Sequence, residues 1–298
     1  MTGVTGTVLG YGLAVPGART AADLLTMSVG EHPAVDPAAL IGRKGLRYKD
    51  RATQLALCAA GDAITDAGLT GGEDGTGVPG DDIAVVVSSN LGNVDTVCRV
   101  TSEIAAGGSV AISAMDIPNA SSNVTAAEVA IRYGLRGPNL TFCNGGTSGL
   151  DAIYWALVLL ATGRAQRALV IGVEPDNAQT RALTGHDRIL DGAAAVVLGR
   201  PGAGGRARVS LPVRAPDTAS CAAQLDAHGT PGVWFPPERS TMVGPLVFDL
   251  WSAHGAASGA AGVMQCVAAL GWLETARPGP VYAMVSGAEA SAAVAVAR

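Results

Sequence analysis

The stretch from residue 139 to residue 163 restricts the fold of this chain more than any other. Residues 139–143 (NLTFC) have the pattern of a short strand, Asn144 to Gly146 is a tight glycine-rich elbow, and apolar side chains run almost all round a helix from Thr147 to Gly163. A helix that is apolar on every side is buried between other elements. These three pieces in succession predict a layered α/β protein.

Strands and helices alternate through the first two-thirds of the sequence. A helix is predicted from Asp50 to Leu69, and IAVVVSS (83–89) is a continuous apolar run, typical of a strand that is buried on both faces. Further strands are predicted at 168–173 and 193–198. After Gly199, a joint rich in proline and glycine leads into what looks like a shorter second half, whose pattern is weak up to about residue 242.

Composition narrows the possible partners and location. Hydrophobic residues make up 48% and charged residues 15% of the 298 residues, which suits a layered core and a large subunit interface. The formal net charge of −5 provides no basic stripe for nucleic acid or for an anionic membrane. The longest apolar run, Ala152 to Thr162, is too short to span a bilayer, and the start has no targeting pattern. A soluble, cytoplasmic protein is therefore expected.

Five cysteines are scattered through the chain, at positions 58, 98, 143, 221 and 266. They are odd in number and never form a Cys-x-x-Cys pair, which argues against a disulfide framework and against a zinc site. No other pattern implies a metal or a redox cofactor. We therefore expect none.

The segment from Arg132 to Asp176 resembles the nucleophile segment of the β-ketoacyl-acyl-carrier-protein synthases. In that family a Tyr-Gly-x-x-Gly-Pro lead, present here at 133–138, runs into a strand, an elbow with the nucleophilic cysteine and a buried helix. Similar pieces occur in family order: LGYG near the start, a helix ending in DAGL, then VVVSSNLG, DGAAAVVLG and AASGAAGVMQCVAAL. The resemblance spans roughly residues 4–200 and 243–275.

This resemblance implies a thiolase-like, layered αβαβα fold built from two similar halves. The N-terminal ketosynthase-like half is expected over residues 1–200. An abbreviated C-terminal half is expected over residues 201–298, and the two halves together form one compact unit.

The chemistry of the family depends on three side chains. A cysteine thiolate at the N-terminus of the buried helix takes up the acyl chain as a thioester, and two histidines stabilise the oxygens that gain negative charge. Alignment on Gly137-Pro138 puts the nucleophile position at Gly146, which has no side chain to acylate. Alignment on 259–262 puts Ala256 where the Lys-Ser-x-x-Gly-His motif has its histidine. Both catalytic positions are degenerate.

Three residues are candidate remnants of the missing groups. Cys143 is the thiol nearest the elbow, although its strand position predicts a buried, inert side chain. His228 lies in DAHGT (226–230), which resembles a fragment of the family's His-Gly-Thr-Gly-Thr motif, while the helix and strand that lead to that motif look largely missing. His254 stands two residues from its motif position and, like His228, is more simply explained as a surface residue.

Family members that lack the cysteine are chiefly the chain-length factors of type II polyketide synthases. The resemblance therefore predicts a non-catalytic partner of a ketosynthase, joined to it as a heterodimer, which meets acyl carrier protein bearing the polyketide and shapes the tunnel that limits chain length. The helix before an Asp-Ile-Pro-like turn reaches the tunnel end in this family. The candidate tunnel residues are accordingly Val100, Glu103, Ile104 and Met115.

Two alternatives stay open. One is a self-sufficient, ketosynthase-like acyltransferase that uses Cys143 with His228 or His254. The other is a binding module that docks acyl carrier protein without shaping the chain. At the elbow, Asn144 and Gly145 are candidates for an anion-binding nest with the helix N-terminus, which would bind rather than react in the absence of a nucleophile.

Overall fold

The computed structural model describes residues 5–27, 32–69, 78–108, 110, 112–113, 116–244, 246–275 and 277–298. The strands in these residues are β1 (Thr5–Ala14), β2 (Ile83–Ser88), β3 (Asn139–Phe142), β4 (Arg167–Glu174), β5 (Gly192–Gly199), β6 (Ala207–Ser210), β7 (Val213–Ala215), β8 (Val233–Phe235), β9 (Val281–Ser286) and β10 (Ser291–Ala297). The helices are α1 (Asp23–Thr26), α2 (Pro37–Ile41), α3 (Arg51–Asp66), α4 (Val94–Gly107), α5 (Val124–Tyr133), α6 (Ser148–Ala161), α7 (Ala178–Thr184), α8 (Thr218–Leu225), α9 (Trp251–His254) and α10 (Ala261–Glu274).

The strands follow the order β3-β2-β4-β5-β1-β6-β10-β9-β8, and β7 pairs with β10. In the first run, β2 is parallel to β4, β4 is antiparallel to β5, and β5 is antiparallel to β1. In the second run, β8 is parallel to β9, β9 is antiparallel to β10, and β10 is antiparallel to β6. The same pairing pattern occurs twice, and the two runs meet where β1 pairs with β6. Within the described residues, the second run has no counterpart of the edge strand β3.

Side chains that alternate along the strands divide the core into three apolar clusters. On β4, Leu169 faces the cluster that contains α3, whereas Val170 faces the cluster that contains α6 and α10. On β9, Ala283 faces the same α6 and α10 cluster, whereas Tyr282 faces the cluster that contains α8. Helices therefore lie outside the first run, between the two runs and outside the second run. This confirms the layered α/β fold expected from the sequence.

The two central helices cross at glycines. A Cβ built on Gly149 of α6 would lie 2.7 Å from the backbone nitrogen of Gly262. A Cβ built on Gly262 of α10 would lie 2.7 Å from the backbone nitrogen of Leu150. Only glycine allows two backbones to approach so closely. The small residues that precede α10 in the sequence therefore serve its packing against the elbow helix α6.

Capping side chains mark the starts of four described helices, and Asp36 caps α2. Asp50 accepts a hydrogen bond from Thr53 N before α3, and Asp217 accepts one from Ser220 N before α8. Asn177 begins α7 with a capping box. The helix α8 and the strand β8 both fall between residues 200 and 243, where the sequence pattern is weak.

The elbow helix α6 departs from the expectation of burial on every side. Trp155 is 46% exposed, because α6 packs under β2, β3 and β4 at the edge of the sheet, where the layer ends. Among the described residues, no helix is both long enough and apolar enough to cross a membrane.

Candidate functional site

The elbow before α6 is held by Asn90, which follows β2. The amide oxygen of Asn90 accepts hydrogen bonds from Gly145 N (3.1 Å) and Ser148 Oγ (3.0 Å). The amide nitrogen donates to Gly145 O and to Ser258 Oγ, both at 2.9 Å. All four hydrogen-bonding positions of this amide are used within the protein. The expected anion nest at Asn144 and Gly145 is therefore closed at Gly145, because its N–H is bound by Asn90.

The backbone around Gly146 leaves no room for a side chain. A Cβ built on Gly146 would overlap the carbonyl oxygen of Ser286 and lie 2.9 Å from the carbonyl carbon of that residue. Ser286 ends β9, and the turn after it is closed by a hydrogen bond from Gly287 N to Ala290 O (2.8 Å). This turn connects β9 to β10. The second half of the chain fills the space that a nucleophile would need.

A second network ties the elbow to the second run of strands. One carboxylate oxygen of Asp151, on α6, accepts from Asn144 Nδ2 (3.0 Å) and Thr147 Oγ1 (2.9 Å). The other oxygen accepts from Arg214 on β7 (2.9 Å). Both oxygens are engaged within the protein, so this carboxylate holds the elbow in place.

A fully buried carboxylate, that of Glu174 at the end of β4, joins the two halves of the chain. Its Oε1 accepts from Asn90 N (2.7 Å) and Gly259 N (3.0 Å), and its Oε2 accepts from Leu91 N (3.0 Å) and Ser89 Oγ (3.3 Å). Burial raises the pKa of Glu174 to about 7, against the opposing effect of these four hydrogen bonds. One side chain therefore connects the loop after β2, the end of β4 and the segment before α10.

Ala256, the predicted position of the family's second histidine, is followed by a turn that a carboxylate binds. Between residues 200 and 243 the chain forms α8 and β8, and a Pro-Pro pair (236–237) follows β8. The next residue is Glu238, whose Oε1 accepts from Ala257 N (2.6 Å) and Ser258 N (2.7 Å). These two residues directly follow Ala256, the second histidine position. Burial raises the pKa of Glu238, and the two backbone hydrogen bonds oppose the shift.

Cys143 is exposed, so the expectation of a buried thiol is wrong. It lies just past the end of β3, the edge strand of the first run. Partial loss of solvent around the sulfur raises the pKa of Cys143, and the negative charge of Glu174 raises it further. A raised pKa keeps the thiol protonated at neutral pH, so Cys143 lacks the thiolate character of a nucleophile.

His228 is exposed and follows α8, away from the elbow. The residue after it, Gly229, has its carbonyl oxygen 2.6 Å from the hydroxyl of Tyr282, near the start of β9. Ser286, which meets Gly146, ends the same strand. At about 3.3 Å per residue, these two places on β9 are about 13 Å apart. The DAHGT fragment therefore does not bring its histidine to the elbow.

His254 is buried, which corrects the surface position expected from the sequence. Its Nε2 lies 3.0 Å from the carbonyl oxygen of Leu24, so this nitrogen carries the proton. Burial lowers the pKa of His254 and favours the neutral ring. The ring lines a cleft of about 360 Å³ together with Met27 and Asp191. The histidine therefore packs the segment before α10 against α1.

The candidate tunnel residues lie on and after α4. Val100 is buried, Ile104 is 45% exposed, and Glu103 forms an ion pair with Arg99 (3.2 Å). Met115 lies outside the described residues. Their role in a tunnel stays a prediction. Within the described part of the chain, no group of three or more His, Cys, Asp or Glu side chains is arranged to hold a metal ion.

The profile described as "Beta-ketoacyl synthase, N-terminal domain" matches residues 14–188, more than half of the chain. The chain belongs to the β-ketoacyl synthase family. It is similar to the 3-oxoacyl-[acyl-carrier-protein] synthase 2 of Coxiella burnetii, with 30% identity over 139 residues, which cover 47% of this chain and 33% of that enzyme. The synthase 2 of Vibrio harveyi is 28% identical over 134 residues, 45% of this chain and 31% of that enzyme. The matched region spans about a third of these β-ketoacyl synthases.

Solved structures of the same fold match nearly the whole chain. "The ishigamide ketosynthase/chain length factor" is similar with a TM-score of 0.78 and 20% identity, covering 98% of this chain and 99% of that one. A type II PKS acyl-carrier protein in complex with its ketosynthase (AntDE:AntF) gives a TM-score of 0.77 at 14% identity, again over 98% and 99%. A β-ketoacyl synthase from Burkholderia phymatum STM815 gives 0.74 at 16% identity. These similarities establish the β-ketoacyl synthase fold.

Sequence reasoning located the elbow but missed the side chains that hold it. Asn90 and Glu174 stand in VVVSSNLG and VIGVEPD, directly after buried strands. Polar residues at the carboxyl ends of neighbouring parallel strands meet at one edge of a sheet, and this was the available signal. Glu238 had no comparable signal, because the three-residue strand β8 is too short to be recognised by pattern.

The buried carboxylate predicts a specific pH dependence of stability. The pKa of Glu174 is about 7 in the folded chain against an ordinary value of 4.5, so the folded state retains a proton that the unfolded state releases between these values. The contribution is complete below about pH 4.5 and is lost as the pH rises through about 7, and it amounts to about 3 kcal/mol. Urea unfolding of the native chain and of Glu174→Gln at pH 5, 6, 7 and 8 measures it.

We expect the difference in unfolding free energy between these two proteins to shrink as the pH rises. Other titrating groups are shared and cancel in the difference. The variant should be less stable throughout, because its amide NH₂ faces N–H donors. A difference that stays constant with pH would contradict the assignment.

Restoring a thiol at the elbow should fail for a steric reason. Gly146→Cys is expected to destabilise the chain by about 2 kcal/mol or more, because its Cβ meets the backbone of Ser286. Gly204→Cys is the matched control, since a Cβ there meets open space. Chemical unfolding, together with intact mass after exposure to an acyl thioester, tests both variants. Equal stability of the two variants, with acylation of the cysteine at position 146, would show that the elbow is open.

Proposed function

We propose that this chain is the chain-length factor of a type II polyketide synthase, a non-catalytic subunit that pairs with a ketosynthase. The observation that carries the proposal is the backbone of Ser286 and Gly287, which occupies the space of a side chain at Gly146. The site is therefore closed sterically as well as lacking its thiol. A subunit with this scaffold and a closed elbow contributes shape and surface rather than a nucleophile.

An open sheet edge supports a protein partner. The outer side of β3 has no neighbour within the described residues, and the strand (NLTF) contains no charge or proline to discourage pairing. The helices that pack on β3 carry two exposed apolar side chains, Ile131 on α5 and Trp155 on α6. An unprotected edge with apolar flanks is typical of a subunit interface.

The similar structures support the same proposal. One of them is a ketosynthase/chain length factor, and 98% of this chain covers 99% of that one. This similarity over nearly the whole of both chains supports a role in a pair of that kind. Another, AntDE:AntF, is an acyl-carrier protein in complex with its ketosynthase. We accordingly propose a ketosynthase as the partner and acyl carrier protein as the carrier of the growing chain.

The helix α4 is the proposed end wall of the acyl tunnel. Its buried Val100 faces the protein, while its neighbour one turn on, Ile104, is exposed and available to a partner. A close-packed wall sets length by volume, because added carbons stop where side chains cannot yield. Glu103 on the same helix is a further candidate, as is Met115, which lies outside the described residues.

The complex is tested by co-expression with ketosynthases of type II polyketide synthases. Size-exclusion chromatography should show a stable one-to-one complex, and intact mass after incubation with an acyl-carrier thioester should place the acyl group on the ketosynthase alone. Trp155→Ala should weaken the complex without unfolding the chain. Leu183→Ala, which removes another exposed apolar side chain, is the matched control and should leave the complex unchanged.

Two outcomes would support the alternatives. An acyl mass on this chain that is lost in Cys143→Ser would make it an acyltransferase. Co-purification with acyl carrier protein but not with the ketosynthase would make it a binding module.

The tunnel assignment is tested by product length. Val100, Glu103, Ile104 and Met115 are replaced singly by alanine, which shortens the side chains of the proposed wall and enlarges the tunnel. The longest polyketide found by mass spectrometry should then gain extender units. Ser102→Ala, on the opposite side of the same helix from Val100 and Ile104, is the control and should not change the product. Unchanged length in all four variants would remove these residues from the tunnel.

A further inference from the structure

The turn before α10 is bound by two of the chain's own carboxylates. Glu238 Oε1 accepts from Ala257 N (2.6 Å) and Ser258 N (2.7 Å), and Glu174 Oε1 accepts from Gly259 N (3.0 Å). Three successive backbone N–H groups are therefore each paired with a carboxylate. Consecutive N–H groups of this kind form the concave sites in which proteins bind anions.

A cavity of about 330 Å³ lies beside this turn and includes Ala256, the degenerate histidine position. Its charged walls are Arg188, Arg239, Asp187 and Glu238, with His186 between them. The two arginines and the two acids balance in formal charge. Without Glu238, the balance would become positive by one charge, which suits a single carboxylate.

The arginines are fixed by contacts other than Glu238. Arg188 donates to the carbonyl oxygens of Ser252 (3.2 Å) and Ala253 (2.9 Å). The Nη2 of Arg239 lies 3.2 Å from Nδ1 of His186. The positive wall of the cavity therefore does not depend on Glu238 for its position. Removal of the Glu238 carboxylate would leave the N–H groups of Ala257 and Ser258 unpaired beside this wall.

We propose that Glu238 is a built-in anion that fills this site and keeps carboxylate-bearing ligands out of the cavity next to Ala256. A malonyl-type carboxylate would meet a like charge there and find the N–H groups of Ala257 and Ser258 already bound. The inference deepens the proposed function, on which its biological meaning rests: the extender unit is excluded from this subunit and directed to the partner. The occupancy itself is a property of this chain alone.

The test is refilling of the emptied site by a small carboxylate. Glu238→Ala removes the built-in anion, and the full chain is melted in acetate or malonate, with sodium chloride at equal ionic strength as reference. A ligand that binds only the folded state raises the melting temperature, by about 5 °C at roughly 100 times its Kd. We expect this rise in Glu238→Ala and no rise above the chloride reference in the native chain.

Two further variants separate occupancy from charge. Glu238→Gln keeps an oxygen that accepts both N–H bonds, so it should stay unresponsive although the charge is gone. Asp226→Ala removes an exposed carboxylate elsewhere and should behave as the native chain does. A response of Glu238→Gln equal to that of Glu238→Ala, or an equal response in the native chain, would overturn the proposal.

The experiment also covers a variant that folds poorly. If Glu238→Ala is unfolded in chloride, recovery of its circular dichroism signal in acetate is the same readout, and no recovery would overturn the proposal. No ketosynthase is present in this experiment. Its failure would therefore leave the proposed complex to be judged by co-expression.

Discussion

The buried carboxylate of Glu174 is the constraint on which the site depends. A carboxylate removed from water is tolerated only when donors replace the lost hydration, and here four donors do so. Three of them are backbone N–H groups, of Asn90, Leu91 and Gly259, so their loops cannot move without leaving a buried charge unpaired. Asn90 also fixes the elbow, because its backbone N–H binds Glu174 while its side chain binds Gly145.

Gly146 and Ala256, the two positions predicted to be degenerate, are closely surrounded by other parts of the chain. At the nucleophile position, the space for a side chain is taken by the backbone at Ser286. The turn after Ala256, the predicted position of the second histidine, is held by Glu238. Both predicted positions therefore lie within, or directly beside, internal contacts of the chain. A site of this kind contributes stability and shape, which agrees with the proposed role as one wall of a shared tunnel.

Regular, locally encoded elements were predicted well. The buried strand expected at 83–89 is β2 (Ile83–Ser88), and the helix expected from Thr147 to Gly163 is α6 (Ser148–Ala161). The predictions that failed concern whether a side chain is buried or exposed. His254 is buried because α1, far away in sequence, covers it, and Cys143 is exposed because β3 ends at an open sheet edge. The sequence around His254 and Cys143 does not show which elements lie beside them in the fold.

The sequence by itself determined the family, the layered α/β fold and the absence of a thiol at the elbow, because strand, glycine and helix signals are local and Gly146 has no side chain. Only the tertiary structure decided that the elbow is closed, that Glu174 joins the two halves, and that Glu238 occupies the turn beside Ala256. These features pair residues distant in the chain, such as Gly146 with Ser286 and Glu174 with Gly259. Their physical basis is close packing and the need of buried carboxylates for donors, which arise only when the layers are assembled.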